Sequence, residues 1–200
     1  MKYFHKASVK KGLPPGTVVH IGTEKIQETK IAIFDFDASQ YHEIAEARIE
    51  ETLAFRESEK VSWINISGLS KTDSILQIGT HFNLHPLVIE DIVNTTQRPK
   101  VEDHEDHLFI VLKMLYLDEG GNTINYEQVS LILGKTFVLS FQEAERDVFD
   151  PIRDRIRTGK GRIRAMGADY LAYALIDAVV DHYYEVLEKI GDDIEDTEET

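Results

Sequence analysis

The chain has 200 residues, enough for one large domain or two small ones, with a core that needs no disulfides. It contains no cysteine, which fits a reducing compartment, and 36 acids against 22 Lys and Arg give a formal charge of −14. That balance argues against nucleic acid and anionic membrane surfaces as partners, because both need a basic footprint, and leaves plain solubility or attraction for cations. The N-terminus lacks the apolar stretch of a secretion signal. The longest nearly apolar run, Leu108 to Leu117, is interrupted by Lys113 and is about half a membrane span, so the chain is expected to be soluble.

Residues 1–16, basic at first and closing on Gly12-Leu13-Pro14-Pro15-Gly16, read as a loose lead-in. Two β-rich runs follow, Thr17 to Ile21 and Thr29 to Asp35, around a polar turn at Gly22 to Lys25. Ser39 reads as the N-cap of a helix through about Phe55 that buries Tyr41, Ile44, Ala45, Ile49 and Leu53. A strand at Val61 to Ile66 carries the single tryptophan, Trp63, and Ser70 to Phe82 reads as a second helix. Residues 85–94 form a short helix with Pro86 at its first position, where a missing N–H costs nothing. Arg98-Pro99-Lys100 then forces an extended exit.

Three strong strands follow, Leu108 to Leu117, Glu127 to Leu133 and Thr136 to Phe141. Turn chemistry at Asp118 to Asn122 and at Gly134-Lys135 joins them as hairpins. Asp147 to Arg157 is helical, and Gly167 to about Glu195 carries a helical pattern about twice the ordinary length. Together these elements predict an α/β fold: a mixed parallel and antiparallel sheet flanked by helices, with a long C-terminal helix projecting from the domain. The organisation expected is a lead-in at 1–16, an α/β body at 17–166 and a long acidic helix at 167–200. The last residues stop inside an acidic run without a cap, which reads as a piece of a longer protein.

No feature announces catalysis. Thr158-Gly159-Lys160-Gly161 has the Gly-Lys pair of a phosphate loop, but Gly161 stands where Ser or Thr is needed, so it reads as a basic surface turn. His104-Glu105-Asp106-His107 is the densest group among eight histidines. It leads into a strand, where positions three apart face opposite ways, so a solvated polar approach is expected rather than a zinc site. On the last helix, Leu175, Ile176, Val179, Val180, Tyr183, Val186, Leu187, Ile190 and Ile194 form one broad apolar arc. Opposite lie Asp177, Asp181, Glu185, Glu188, Asp192 and Glu195, a stripe that is either a solvated face or one that prefers cations or a basic partner. Glu90-Asp91 is a second acidic feature, by spacing alone an ordinary piece of surface charge. A hard cation that keeps most of its waters would need only one or two such carboxylates.

His85-Pro86-Leu87, Glu90-Asp91-Ile92-Val93-Asn94 and Gln97-Arg98-Pro99-Lys100-Val101-Glu102 resemble the cytoplasmic domain of the CorA family of magnesium and cobalt transporters. The likeness continues through Leu108 to Met114, Glu127 to Leu133, Asp147-Val-Phe-Asp-Pro151, Ala168-Asp-Tyr-Leu171 and Leu175 to Asp181, covering roughly residues 60 to 195. The resemblance implies a homopentamer at the cytoplasmic face of the cell membrane, with Mg2+ or Co2+ bound between subunits as a regulatory ion. Asp91 matches the principal sensor carboxylate, and Glu90 and Asp177 match an accessory site. The chain would be a regulatory domain and not an enzyme, attached to the membrane only through helices that this sequence lacks. Alternatives are the soluble domain of a related zinc transporter and a stand-alone cation- or protein-binding module. Without the membrane-proximal helix, the chain is expected to be mostly monomeric or weakly associated.

Overall fold

In a computed structural model, which describes residues 11–22, 28–118, 120–121 and 123–198, seven strands form one mixed sheet in the order β2-β1-β3-β7-β6-β5-β4. The strands are β1 (Lys30–Phe36), β2 (Tyr41–Ile44), β3 (Val61–Ser67), β4 (Lys100–Asp103), β5 (Leu108–Leu117), β6 (Ile124–Leu133) and β7 (Phe137–Gln142). Only β3 and β7, at the centre, run parallel; every other pairing is antiparallel. The helices are α1 (Ile49–Thr52), α2 (Thr72–His81), α3 (Pro86–Val93), α4 (Asp150–Thr158) and α5 (Ala168–Glu198). This is the mixed α/β architecture expected.

Strand alternation sorts the core into two layers. Ile31 and Ile33 of β1, Ile64 and Ile66 of β3, Phe109 and Val111 of β5, and Leu139 and Phe141 of β7 pack with α2 and α3. Their neighbours in sequence, Phe34, Phe36, Trp63, Ile110 and Val138, point the other way and pack with α4 and α5. The sheet is therefore apolar on both faces, as its near-continuous hydrophobic strands require. On the α4/α5 side, Trp63 Nε1 donates to Ser140 Oγ at 2.9 Å, and that hydroxyl donates to Asn65 Oδ1 at 2.6 Å, so the buried indole N–H has a partner.

α5 packs Leu171, Ala172, Leu175, Val179 and Val186 against the sheet. Beyond Val186 almost every described side chain is exposed, including Leu187 and Ile194, so the last turns of this 31-residue helix project from the domain. At 1.5 Å per residue the whole helix is about 46 Å long.

Three expectations need correction. The helix expected from Ser39 to Phe55 is instead the strand β2 followed by the short α1 and a single 3-10 turn, Leu53–Phe55. The cause is local. Asp37 Oδ1 accepts hydrogen bonds from the Ser39 and Gln40 amides and from the Ser39 hydroxyl, so the would-be cap serves a β-turn between β1 and β2. The strand expected at Thr17 to Ile21 shrinks to one parallel bridge between Ile21 and Asn94. The segment 104–107 does not lead into β5 as a strand but makes the β4–β5 turn, closed by His104 N donating to His107 O at 3.0 Å. That turn stacks the two imidazoles 4.7 Å apart and buries His107, so this stretch is only partly solvated. Most of the turn expected at 22–25, and Glu119 and Asn122 of the turn at 118–122, lie outside the described residues.

Candidate cation site

α3 presents the two adjacent acids at its C-terminal end. His85 caps the helix, its Nδ1 accepting from the Leu87 amide at 3.2 Å, and Pro86 begins it. Val88, Ile89, Ile92 and Val93 are buried against α2 and the sheet, which leaves Glu90 and Asp91 half-buried in the last turn. That turn holds no basic residue, and carboxylates there oppose the helix dipole by a few tenths of a kcal/mol. Such a site favours an external positive charge.

The supporting frame comes from β5 and β6. The buried Gln128 donates through Nε2 to the Asp91 backbone oxygen at 3.3 Å. Lys113 Nζ donates to Thr95 O at 2.8 Å and to Gln128 Oε1 at 3.2 Å, tying the exit of α3 to the sheet. Lys113, which breaks the apolar run in the sequence, thus serves a carbonyl just past the helix end.

The two carboxylates are engaged differently. Glu90 Oε2 accepts from the Gly16 amide at 2.7 Å, so this side chain fastens the segment before Ile21 to α3. Asp91 Oδ2 accepts from Lys100 Nζ at 2.5 Å, and its Oδ1 accepts from Gln97 Nε2 at 2.5 Å. Lys100 donates in turn to Glu102 Oε1 at 2.8 Å. Burial works against the charge on Lys100, but the hydrogen bonds that it donates to Asp91 and Glu102, with the attraction of their charges, outweigh it and raise its pKa above the ordinary lysine value. These partners were visible in the sequence only as part of a family-like block; nothing in their spacing shows that they meet Asp91.

Asp177 lies elsewhere. It is exposed on α5, which covers the sheet face opposite to the one covered by α3. The structure brings Glu90 and Asp91 together as neighbours and keeps Asp177 apart from both. Among the described residues no group of three or more His, Asp or Glu gathers to hold a metal ion. The donors present are hard carboxylate oxygens, which suit Mg2+ held largely through its own waters, and one chain supplies only part of such a shell. Among the described residues, no helix is long and apolar enough to cross a membrane.

The chain is thus an α/β sheet with a short helix bearing two adjacent acids on one face and a long acidic helix on the other. The sequence matches the profile of the CorA-like Mg2+ transporter proteins over residues 58–200, and the chain belongs to that family. It is 48% identical over 194 residues to the cobalt/magnesium transport protein CorA of Thermotoga maritima, covering 97% of this chain and 55% of that protein. The chain thus spans about half the length of that relative. Its fold resembles the soluble domain of CorA from Methanocaldococcus jannaschii (TM-score 0.64, 18% identity, 88% of this chain and 65% of the other). It also resembles the ZntB cytoplasmic domain from Vibrio parahaemolyticus (TM-score 0.61, 12% identity, 82% of this chain and 63% of the other). At those identities the likeness speaks to fold alone.

Proposed function

We propose that this chain is the cytoplasmic, cation-sensing domain of a Mg2+/Co2+ transporter of the CorA type. In this reading it belongs to a homopentamer whose pore helices lie outside this sequence, and Mg2+ bound between subunits favours the closed arrangement. Asp91 is the principal ligand, and Glu90 and Asp177 form the accessory set. The observation that carries the reading is the placement of these acids on opposite faces of one sheet. A single subunit keeps Glu90 and Asp177 on opposite faces, so in this reading the accessory set is completed only where the α3 face of one subunit meets the α5 face of the next. An ion shared in that way binds only one arrangement, and it shifts the population by its differential affinity.

The net charge of −14 supports the same mechanism, because close-packed acidic subunits repel until cations lie between them. The 48% identity to a cobalt/magnesium transport protein favours Mg2+ and Co2+ over zinc as the ions concerned. The test is sedimentation and thermal unfolding with and without millimolar Mg2+, for the wild-type chain and Asp91→Ala. A magnesium-dependent gain in association or stability that is lost in the variant supports the reading. No response in the wild type, or an equal response in both, overturns it for this chain.

A further inference from the structure

The carboxylate at the end of α3 already holds a cation. Lys100 Nζ sits on Asp91 Oδ2 at 2.5 Å, and both side chains are 25% exposed, so the contact is reachable from solvent. The same ammonium reaches Glu102 Oε1 at 2.8 Å. Lys100 and Glu102 are two apart on β4 and therefore project from the same side of the strand. The backbone of β4 is fixed by its ladder with β5 from Lys100↔Val111 to Asp103↔Leu108. A lysine carries a compact charge on a flexible four-carbon stem, so its head can pass between the two carboxylates while the strand stays still. The Phe109 ring, 5.2 Å from the ammonium, adds a face over which a cation is stabilised.

We infer that Lys100 is the built-in competitor for the ion at Asp91: it occupies the carboxylate in the ion-free state, and a hydrated divalent cation displaces it onto Glu102. This rests on the reading of Asp91 as a cation ligand and adds how its threshold is set. An acid without a resident counter-charge would capture cations at low concentration and stay loaded. With Lys100 in place, an ion must offer more than the ammonium that it removes. A divalent ion brings twice the charge and an ordered water shell that can donate to the same oxygens. A monovalent ion brings neither advantage, so the lysine also discriminates by charge. Glu102 lowers the cost of displacement by receiving the ammonium.

A plain structural bridge between α3 and β4 predicts something different: losing Lys100 would weaken the fold without tightening ion binding. Mg2+ is therefore titrated calorimetrically, and by thermal shift, against wild type, Lys100→Met, Lys100→Arg, Glu102→Gln, Arg98→Gln and Asp91→Ala. Lys100→Met is expected to lower the half-saturating Mg2+ about fivefold, the ratio that an ion pair of this exposure is worth. Glu102→Gln is expected to raise it about threefold by the same argument. Lys100→Arg keeps a charge on Asp91 and so keeps the wild-type order of magnitude. Arg98→Gln, which removes an exposed charge two residues away, should shift it less than about twofold. In unmodified protein, the NMR signal of the Lys100 ammonium should move on adding Mg2+ and not on adding K+. If Lys100→Met binds no tighter than wild type, or Arg98→Gln tightens binding equally, or the ammonium signal ignores Mg2+, the inference is overturned while the site at Asp91 stands. If Asp91→Ala binds Mg2+ as wild type does, the proposed function falls first.

Discussion

Arg153 closes its guanidinium on Asp147 from two sides, with NH1 at 2.7 Å from one carboxylate oxygen and NH2 at 2.5 Å from the other. The Asp147 side chain is only 2% exposed and also accepts from the Phe149 amide and Gln142 Nε2. Arg153 lies 5.3 Å over the Trp63 ring, so this buried pair joins the start of α4 to the centre of the sheet. Both acceptor oxygens and the fork of donors are satisfied, which is the condition under which a buried ion pair is tolerated.

Removing one partner should therefore cost far more than an exposed pair would. Arg153→Met leaves the Asp147 carboxylate buried beside only neutral donors, and an expected loss of about 3 kcal/mol follows. Equilibrium urea unfolding measures it. Because the pair is on the α4/α5 face and Asp91 on the other, the variant's response to Mg2+ should match wild type once it is folded.

The β1–β2 turn supplies a pH-dependent test. Hydrogen bonds from the Ser39 hydroxyl, the Ser39 amide and the Gln40 amide hold the Asp37 carboxyl down at about 2, against an ordinary 3.8. A depressed folded-state pKa means that the contribution is fully present above about pH 4 and is lost as pH falls toward 2. Asp37→Asn lacks that titration. Melting temperatures of the two proteins should differ most at pH 5 and converge toward pH 2, with the other acids cancelling in the difference.

The core strands were legible because their signal is physical alternation. Ile31 and Ile33 against Phe34 and Phe36 already name two apolar faces, and the structure fills both. Tyr41 and Ile44, three apart, fit one face of a helix, whereas in β2 they point opposite ways and Tyr41 is exposed. The deciding fact was whether the Ser39 hydroxyl bonds forward along the chain or back to Asp37. β4 is not legible as a strand in the sequence because an edge of four residues needs no buried alternation, and Val101 on it is 66% exposed. At the candidate site, Glu90 and Asp91 stood out in the sequence as acids. Their partners did not, since Gln97 and Lys100 reach Asp91 only after the chain turns at Asn94 to Gln97, and the bond from Gln128 crosses 37 positions.

Asp91 and Asp177 should behave differently even without any divalent ion. Asp91→Asn keeps the shape but takes one of two carboxylates from Lys100, in a setting only a quarter exposed. The expected cost is about 1 kcal/mol in unfolding at low divalent concentration. Asp177→Asn alters an exposed position on α5 and should stay within about 0.5 kcal/mol of wild type. Urea midpoints in the presence of a chelator measure both.

The position of α3, and so of Asp91, depends on how closely it approaches α2. Gly79 sits in α2 where an added Cβ would lie 2.6 Å from both Cγ1 and Cδ1 of Ile89. Ile89 is buried, so its side chain has nowhere to retreat. Alanine would gain about 1 kcal/mol of helix propensity over glycine, but overpacking of this kind costs about 1 to 3 kcal/mol. Gly79→Ala should therefore be destabilising by about 1 kcal/mol, with the overpacking term dominant. In the Ile89→Ala background the contact is gone and the new methyl partly fills the space left behind, so the same Gly79→Ala change should become neutral or stabilising. A double-mutant cycle on unfolding free energies measures the coupling, expected at more than about 1 kcal/mol. Additive effects would mean that α2 and α3 separate easily, and that Gly79 does not set the distance that places Asp91 beside Lys100.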